Sequence, residues 1–421
     1  MNRYKRYERY KDSGVEWIGE IPEEWEVKPI KYLVKTIQTG TTPTTRNHDY
    51  FDGEIQWFTP GDFLGHRELY ESSRKISKMA IEDNEGRLFP KETVMIVGIG
   101  ATVGKVAKLG IEGSFNQQIT GIVTNEQNLN SDYLYYWLYI NQQTIKKISN
   151  YTTLPIINNE FIKNFECLLP SIIEQKEIIN FLSQKTAEID DLIADKEKLI
   201  ELLQEKRQAI ITEAVTKGLN PNVRMKDSGI EWIGKIPEEW GVSSLRWYIS
   251  IKSGDYISQE NIDEEGPIPV IGGNGLMAYT NKANCNFKTI AIGRVGALCG
   301  NVHFIDYPSW ITDNALYITN LRSKLCIKYL FYVLKALNLN QYANKTAQPL
   351  ISSSLVKSQV IPIPPIIEQT DIVNYLDIKT AEIDDIISEI KLQIQKLKEY
   401  RQSLIYEAVT GKIYVRDYAI D

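Results

Sequence analysis

Cysteine and histidine are scarce in this sequence, which contains four cysteines and three histidines among 421 residues. The thiols of Cys167, Cys285, Cys299 and Cys326 lie far apart and show no CxxC spacing. A structural zinc site needs ligands clustered in pairs, so this spacing argues against a metal. We therefore expect no metal site, and we expect the four cysteines to be buried, reduced thiols.

Long apolar runs are also missing, because no stretch of about 18 apolar residues occurs anywhere in the chain. The sequence begins MNRYKRYERYKD, which is charged and aromatic and lacks the apolar core of a signal peptide. These absences predict a cytoplasmic protein that does not span a membrane.

Motifs for catalysis and for nucleotide binding are absent too. In the glycine-rich stretch, Gly98 and Gly104 are separated by five residues, and Val106 follows Lys105. A phosphate-binding loop needs four residues between its glycines and then Lys followed by Ser or Thr. No nucleophile motif and no Asn/Asp-Pro-Pro-Tyr/Phe tetrapeptide occurs. We expect a tight turn between two strands, no bound cofactor and no catalytic site in this chain.

What the sequence does contain is an internal repeat. The segment KDSGVEWIGEIPEEW at 11–25 returns as KDSGIEWIGKIPEEW at 226–240, with 13 of 15 positions identical at an offset of 215. The later motifs IIEQ, TAEIDD and EAVT return at an offset of 194. The first copy is therefore about 21 residues longer between its opening motif and its final segment. Similar ends around unlike middles are typical of two modules that read different targets, although a structural duplication could also diverge in this way.

Each copy ends in a predicted long helix, at residues 171–217 and 366–412. Ser171 with Glu174 forms a capping-box sequence at the first helix start, and Pro364-Pro365 precedes the second. Gly218 and Gly411 supply the stop signals. Each helix would be roughly 65–70 Å long at 1.5 Å per residue.

Apolar residues recur in both helices with the period of 3.5 that is typical of a coiled coil. We predict that the two helices pair with each other through this seam, antiparallel and with a pseudo-twofold internal repeat. Lys196, Arg207 and Arg401 interrupt the seam, and they either fix its register or extend to solvent. The predicted seam residues are Ile189, Ile193, Lys196, Ile200, Leu203, Arg207, Ile210, Ile383, Ile387, Ile390, Ile394, Leu397, Arg401 and Leu404.

Further apolar residues lie off the seam and need another surface. They pack either on the globular segment of their own copy, in the first turns, or on a partner subunit. They are Ile178, Ile179, Phe181, Leu182, Leu192, Leu199 and Leu202, with Ile372, Val373, Tyr375, Leu376 and Ile386 in the second copy.

The formal net charge is −6, which alone argues against a nucleic-acid partner. The acidic excess lies mainly on the predicted helices, whereas residues 222–362 carry 14 basic and 11 acidic side chains. This distribution permits a DNA-facing surface.

The segments before the helices are rich in β-branched and aromatic residues with frequent glycine, which predicts an α+β fold class. We expect strands at 93–97, 121–124, 289–292 and 315–319, and helices at 132–148 and 323–337. The predicted division is a globular domain at 1–170, a helix at 171–217, a second globular domain at 218–365, a helix at 366–412 and a tail at 413–421.

Taken together, these motifs resemble the specificity subunit of type I restriction-modification systems. The resemblance spans nearly the whole chain. It rests on Trp17-Ile18-Gly19 and Trp25 with their second copies, and on the segment that precedes each helix. That segment runs from Leu154-Pro155-Ile156-Ile157-Asn158 to IIEQ in the first copy, and from Gln348-Pro349-Leu350-Ile351-Ser352 in the second.

The resemblance implies two target-recognition domains that each read one half of a bipartite, asymmetric double-stranded DNA target. It implies helices that space the halves and dock modification methyltransferase subunits, with a restriction/translocase subunit as a further partner. It places S-adenosylmethionine, ATP and magnesium in those partners and no cofactor in this chain. The alternative is a coiled-coil scaffold or tether that does not read bases.

Candidate DNA-contacting residues follow from the chemistry of base reading. Arg pairs with guanine and Asn or Gln with adenine, while Lys, Ser and Thr hold phosphates. Asn274 lies in a Gly-Asn-Gly sequence, which is also a turn signal. In the first copy the candidates are Thr41, Thr42, Thr44, Thr45, Arg46, Asn47, Lys105, Asn116, Gln117 and Gln118. In the second copy they are Lys252, Ser253, Tyr256, Ser258, Asn274, Arg294, Asn301, Asp313 and Asn314.

Overall fold

A computed structural model describes residues 4–149, 156–343 and 349–416 of the chain. Leu154, Pro155 and Gln348 of the signature segments lie outside the described residues, as do the last five residues of the predicted tail. The chain forms two compact units. Unit 1 comprises Met1–Ala194 and Gln393–Asp421, and unit 2 comprises Asp195–Leu392.

Unit 1 is a mixed α/β structure of short strands and helices. Its strands are β1 Tyr10–Asp12, β2 Glu20–Pro22, β3 Glu26–Pro29, β4 Val34–Thr39, β5 Ile55–Phe58, β6 Glu68–Leu69, β7 Lys75–Ile76, β8 Val94–Val97, β9 Val106–Leu109, β10 Ser114–Phe115, β11 Ile119–Thr124 and β12 Glu166–Leu169. Its helices are α1 Lys78–Glu82, α2 Ser131–Ile140, α3 Gln142–Ser149 and α4 Asn159–Asn164, followed by the long helix α5 Ile172–Lys217, which continues into unit 2.

A five-stranded sheet in the order β4-β11-β8-β9-β6 forms the centre of unit 1. All four residues of β8 are buried, which fits a central strand covered on both faces. A core cluster that includes Phe58, Met95 and Phe115 packs against this sheet. Tyr133 and Trp137 of α2 are also buried. The sheet and its covering helix fix the loops that follow β4, β8 and β10.

Unit 2 has a similar plan. Its strands are β13 Met225–Asp227, β14 Lys235–Pro237, β15 Gly241–Ser244, β16 Ile249–Ser253, β17 Ile268–Gly272, β18 Gly275–Thr280, β19 Thr289–Gly293, β20 Val302–Ile305, β21 Trp310–Ile311, β22 Ala315–Leu321 and β23 Val360–Ile363. Its helices are α6 Ile327–Leu337, α7 Ser353–Ser358 and the long helix α8 Ile366–Val409, whose last part belongs to unit 1.

The main sheet of unit 2 has the order β16-β22-β19-β20, which matches β4-β11-β8-β9 of unit 1 strand for strand. Its core includes Tyr329 and Val333 of α6 together with Ile211 of α5 and Ile372 of α8. Within unit 2, both long helices therefore contribute side chains to the core of the globular part.

The repeated opening motif folds identically in both units. It forms the hairpin β1-β2 in unit 1 and the hairpin β13-β14 in unit 2. Trp25 and Trp240, which end the motif, are among the largest fully buried side chains. The motif is therefore part of the structural frame, which explains why its sequence is so similar in the two copies.

The four predicted strands are confirmed, and the two shorter predicted helices need correction. The predicted helix 132–148 is two helices interrupted at Asn141, whose side chain donates to the carbonyl of Trp137 at 2.8 Å. The predicted helix 323–337 begins only at Ile327. Cys326 has extended backbone angles, and its N–H donates to the Gln369 side chain at 2.8 Å.

The long helices agree with the sequence at three of their four ends. Ser171 Oγ accepts from the Glu174 N–H at 3.3 Å, as an N-cap should, and Gly218 adopts a left-handed φ of +74°. The second helix ends at Val409 rather than at the predicted residue 412. The reason is Gly411, whose φ of +68° turns the chain out of the helix.

The glycine-rich stretch connects β8 to β9, and Gly100 and Gly104 have left-handed φ values of +102° and +86°. The prediction of a tight turn between two strands is confirmed. Across the described residues, none of the helices combines the length and the apolar character needed to cross a membrane.

Candidate DNA-binding surfaces

Three of the candidate residues of unit 2 meet at one end of its main sheet. Arg294 directly follows β19, and its Nη1 lies 3.3 Å from Ser253 Oγ and 3.3 Å from the carbonyl oxygen of Asp313. The Ser253 hydroxyl also donates to that carbonyl at 3.1 Å. Ser253 and Asp313, which belong to other segments of the chain, therefore hold the guanidinium of Arg294 at this end of the sheet.

Asparagine side chains continue this cluster. Asn301 Nδ2 donates to Asn274 Oδ1 at 2.7 Å, and the N–H of Arg294 donates to the carbonyl of Asn314 at 2.9 Å. A Cβ added to Gly273 would lie 3.1 Å from the Asn314 carbonyl oxygen, so the turn that carries Asn274 approaches the same strand end closely. The Gly-Asn-Gly sequence is thus both a turn and a neighbour of Arg294.

Lys252 does not belong to this cluster. Neighbouring side chains on a strand point to opposite faces, so Lys252 lies on the other face of β16 from Ser253. Its ammonium lies 5.3 Å from the ring centroid of Tyr317, and the interaction with the Tyr317 hydroxyl raises the pKa of Lys252. Tyr256 and Ser258 follow in the next loop, where the Tyr256 side chain is 75% exposed.

In unit 1 the candidate amides lie at the corresponding strand end. Asn116 Nδ2 donates to Gln118 Oε1 at 2.9 Å, and the Thr42 hydroxyl donates to Gln117 Oε1. Gln117 and Gln118 line a groove of about 500 Å³. The structure therefore brings Thr42 together with the amides.

The loop 41–47 is divided between structural and exposed positions. The carbonyl of Thr41 accepts from Trp57 Nε1 at 3.0 Å, the N–H of Thr44 donates to Glu85 at 2.9 Å, and Asn47 caps the short 3₁₀ helix His48–Phe51. Thr45 and Arg46 are exposed. Arg46 is therefore the cation of this loop that best suits a phosphate.

Lys105 lies apart from the amide groove. Its Nζ is 3.3 Å from the carbonyl oxygen of Phe63, and neither residue lines the groove. Lys105 was predicted together with these amides, but the contacts separate it from them.

Sequence reasoning missed one residue that lines the groove, Asn159. Asn159 is the first residue of α4, and its Oδ1 accepts from Thr39 Oγ1 at 3.0 Å and from Thr120 Oγ1 at 3.0 Å. The available signal was the pair Asn158-Asn159 inside the signature segment. Asn158 is the N-cap of α4, which explains the first asparagine of the pair but not the second, Asn159.

The predicted seam residues are buried or half-buried along both long helices. Arg401 Nε lies 3.0 Å from Asp190 in unit 1, and Arg207 Nη2 lies 3.2 Å from Asp384 in unit 2. Two of the three polar seam residues thus form ion pairs with the other helix, each within a single unit.

The apolar residues off the seam divide into two groups. Those in the first turns, such as Ile178, Leu182 and Ile372, are fully buried within their own unit, so a partner surface is not needed for them. Later residues are exposed, including Leu199 at 45% and Leu202 at 49%.

The described residues contain no group of three or more His, Cys, Asp or Glu side chains that could hold a metal ion. Burial raises the pKa of the Cys167 thiol, which therefore stays protonated at neutral pH. Both surfaces carry amides and hydroxyls that can form hydrogen bonds, and the surface of unit 2 adds the guanidinium of Arg294.

The chain is similar in sequence to known proteins along most of its length. The family model described as "Type I restriction modification DNA specificity domain" matches residues 22–202 and 237–396. The chain is similar to the type I restriction enzyme MjaIX specificity subunit of Methanocaldococcus jannaschii, with 27% identity covering 95% of this chain and 96% of that protein. It is also similar to the EcoprrI specificity subunit of Escherichia coli, with 26% identity covering 85% of this chain and 88% of that protein.

A solved structure shows the same fold. Its description is "Structural basis underlying complex assembly and conformational transition of the type I R-M system", and its chain matches with a TM-score of 0.69 and 15% identity. The match covers 93% of this chain and 99% of the other. With two matches to the family model that together span most of its length, the chain belongs to the family of type I restriction-modification DNA specificity proteins, and its function is DNA target recognition.

Proposed function

We propose that each unit reads one half of a bipartite, asymmetric target in double-stranded DNA. The observation that carries this proposal is the pair of family-domain matches, at 22–202 and 237–396, that share a frame but differ in their polar clusters. Unit 1 offers the amides of Gln117 and Gln118, whereas unit 2 offers the guanidinium of Arg294. Different hydrogen-bonding groups select different bases, so the two half-targets differ in sequence.

The long helices pair antiparallel in this proposal and space the two halves. In an antiparallel register six of the seven predicted seam residues of α5 lie opposite a predicted seam residue of α8, for example Ile193 opposite Leu397 and Ile200 opposite Ile390. In an antiparallel pair the residue numbers rise along one helix and fall along the other, so the two numbers of facing residues always add to the same total. The ion pairs Asp190–Arg401 and Arg207–Asp384 have the same total and therefore support this register. A coiled coil of fixed length then sets the gap between the halves.

Exposed apolar residues on the helices serve as docking surfaces for modification methyltransferase subunits. Leu192, Leu199 and Leu202 of α5 and Ile386 of α8 are each between 44% and 49% exposed. Exposed apolar side chains on otherwise charged helices suit a site that a protein partner covers. The chain itself performs no catalysis in this proposal. S-adenosylmethionine belongs to the methyltransferase subunits, and ATP and magnesium belong to a restriction/translocase partner.

Equilibrium binding by the complex of this chain with its methyltransferase subunits tests the proposal. Fluorescence anisotropy would compare duplexes that carry both halves of the target, either half alone, or neither. We expect a preference for the duplex with both halves and an intermediate affinity for each half alone. Equal affinity for all four duplexes would contradict base-specific reading and favour a scaffold role.

The substitution Arg46→Ala refines this test. We expect it to weaken binding to the duplex that carries the half-target of unit 1 and to leave the duplex with the other half unchanged. Arg9→Ala is the matched control, because Arg9 is exposed and pairs with Glu23 outside the candidate surface. Equal losses on both halves would show that Arg46 acts on the complex as a whole.

A further inference from the structure

In unit 1, two backbone hydrogen bonds fix the residue that directly follows the central strand β8. Gly98 follows β8, its N–H donates to the carbonyl of Gln118 at 2.7 Å, and its carbonyl accepts from the N–H of Ile157 at 2.8 Å. No side chain projects from this position, and Gly98 lines the groove that contains Gln118.

The same position in unit 2 carries an arginine. Arg294 donates its N–H to the carbonyl of Asn314 at 2.9 Å, and its carbonyl accepts from the N–H of Ile351 at 2.8 Å. These are the contacts that Gly98 makes, with Asn314 in place of Gln118 and Ile351 in place of Ile157. Gly98 and Arg294 are therefore structurally equivalent, and the two units differ at this point by a whole guanidinium group.

A hydroxyl stands beside this position in both units. Thr39 is the last residue of β4 and pairs with Thr120, and Ser253 is the last residue of β16 and pairs with Leu316. In unit 1 the hydroxyl of Thr39 donates to the amide oxygen of Asn159, and in unit 2 the hydroxyl of Ser253 accepts from Arg294. The equivalent hydroxyl thus anchors an amide in one unit and a guanidinium in the other.

The anchoring leaves Arg294 with unused donors. A guanidinium has five N–H groups, and the two described hydrogen bonds of the Arg294 side chain both come from Nη1. Within the described residues, Nε and Nη2 donate to no protein acceptor. The residue is only half-buried, so these donors can reach a ligand. Two adjacent N–H groups match O6 and N7 of guanine.

The anchoring of Asn159 has a different consequence. A carbonyl oxygen has two lone pairs, and Thr39 and Thr120 each donate to Oδ1 of Asn159 at 3.0 Å. The amide then has only N–H donors left, and it lines the groove together with Gln118. Adenine reading needs both an acceptor and a donor on the amide, so this arrangement favours a base edge that presents acceptors.

We propose that Asn159 in unit 1 and Arg294 in unit 2 are specificity-determining residues, each of which reads one base pair of its own half-target. Arg294 reads a guanine through its free N–H pair. Asn159 donates to an acceptor on a base edge, such as O6 or N7 of guanine or O4 of thymine. This inference rests on the proposed function, because it names the residues that perform the base reading proposed there.

Methylation of a randomised duplex library tests the inference. The full chain in complex with its methyltransferase subunits would modify the library in the presence of S-adenosylmethionine, and sequencing of the modified duplexes would give the target. For Arg294→Ala we expect the preference for guanine at one position of one half to fall by roughly tenfold to a hundredfold. For Asn159→Ser, which introduces the residue that unit 2 carries as Ser353, we expect relaxed preference at one position of the other half.

Two control variants accompany these changes. Arg246→Ala removes an exposed arginine of unit 2 whose Nε donates to Ser244, and Asn164→Ser changes an exposed amide at the other end of α4. Both controls should keep the wild-type target. If Arg294→Ala or Asn159→Ser also keeps it at every position, the inference for that residue is wrong.

The outcomes separate this inference from the proposed function. A wild-type complex that modifies no defined bipartite target would overturn both. A defined wild-type target that neither variant alters would overturn the inference alone. If a variant abolishes methylation, anisotropy with duplexes that carry each of the four base pairs at each position decides the matter. Loss of preference at one position supports the inference, and uniform weakening at all positions contradicts it.

Discussion

Lys108 is a buried cation that the protein surrounds with carboxylates. Its side chain is 2% exposed, and its Nζ lies 2.5 Å from Glu92, 2.6 Å from Asp132 and 3.3 Å from Glu68. Burial alone would lower the pKa of Lys108, but the hydrogen bonds and charges of Asp132 and Glu92 outweigh it and raise the pKa. The ammonium therefore stays charged and joins β6, β9 and α2 in unit 1.

Replacing this cation should destabilise unit 1 strongly. Lys108→Ala removes the buried donor shared by Glu92, Asp132 and Glu68, and only the more exposed Arg67 and Lys91 remain near these carboxylates. Loss of a buried hydrogen-bonding partner typically costs about 1–3 kcal/mol. Chemical denaturation followed by circular dichroism measures the loss. Lys198→Ala, at an exposed lysine on α5 that pairs with Glu201, should change stability by less than about 0.5 kcal/mol. Equal midpoints for the two variants would show that the buried cluster contributes nothing.

Single residues of the candidate site were only partly predictable. Arg294 and Gln118 stand out in the sequence because their side chains suit base reading. Asn159 does not stand out, because its role depends on Thr39 and Thr120, which lie 120 and 39 residues away along the chain. Hydrogen bonds between distant segments leave no periodic pattern in a sequence.

Among the elements, the long helices were predicted to within a few residues, because apolar periodicity and capping residues are local signals. Strands of two residues, such as β6, β7 and β10, could not be predicted, since they are too short to show alternation. The interruption at Asn141 was missed because the apolar pattern continues on both sides of it. Element ends that depend on contacts elsewhere in the chain are the least visible in the sequence.

The end of α8 offers a test of such a contact. A Cβ added to Gly411 would lie 2.5 Å from the Pro22 ring, whereas one added to Gly19 would meet nothing within 4 Å. Both glycines have left-handed φ values, +68° and +71°, so alanine strains the backbone similarly at each, by about 1–2 kcal/mol. We expect Gly411→Ala to lower the thermal midpoint more than Gly19→Ala. Equal shifts would mean that the Pro22 contact is unimportant.

Disulfide cross-linking tests the proposed direction of the helix pair. In an antiparallel register Ile193→Cys and Leu397→Cys lie opposite each other and should form a disulfide on oxidation, which changes mobility on a non-reducing gel. The pair Ile193→Cys and Ile387→Cys would meet only in a parallel register. In the antiparallel register its members lie about 15 Å apart along the axis, too far for a disulfide. Cross-linking of the second pair but not the first would reverse the proposed direction.

At the scale of the whole molecule, the repeat predicted two similar globular parts and two long helices. The contacts add that each unit combines one globular part with the first part of one long helix and the last part of the other. Sequence periodicity identifies a seam but does not say which globular part each half of a helix contacts. That grouping depends on core residues such as Ile211 and Ile372, which a heptad pattern does not distinguish from the rest.

Methylation-sensitive sequencing of the genome of a host that carries this chain and its methyltransferase subunits tests the central claim most directly. Two units with one frame and different polar clusters predict a target made of two different short sequences separated by a gap of fixed length. A host that lacks this chain but retains the methyltransferase subunits should show no modification at that target. A palindromic target, or methylation that does not depend on this chain, would contradict the account.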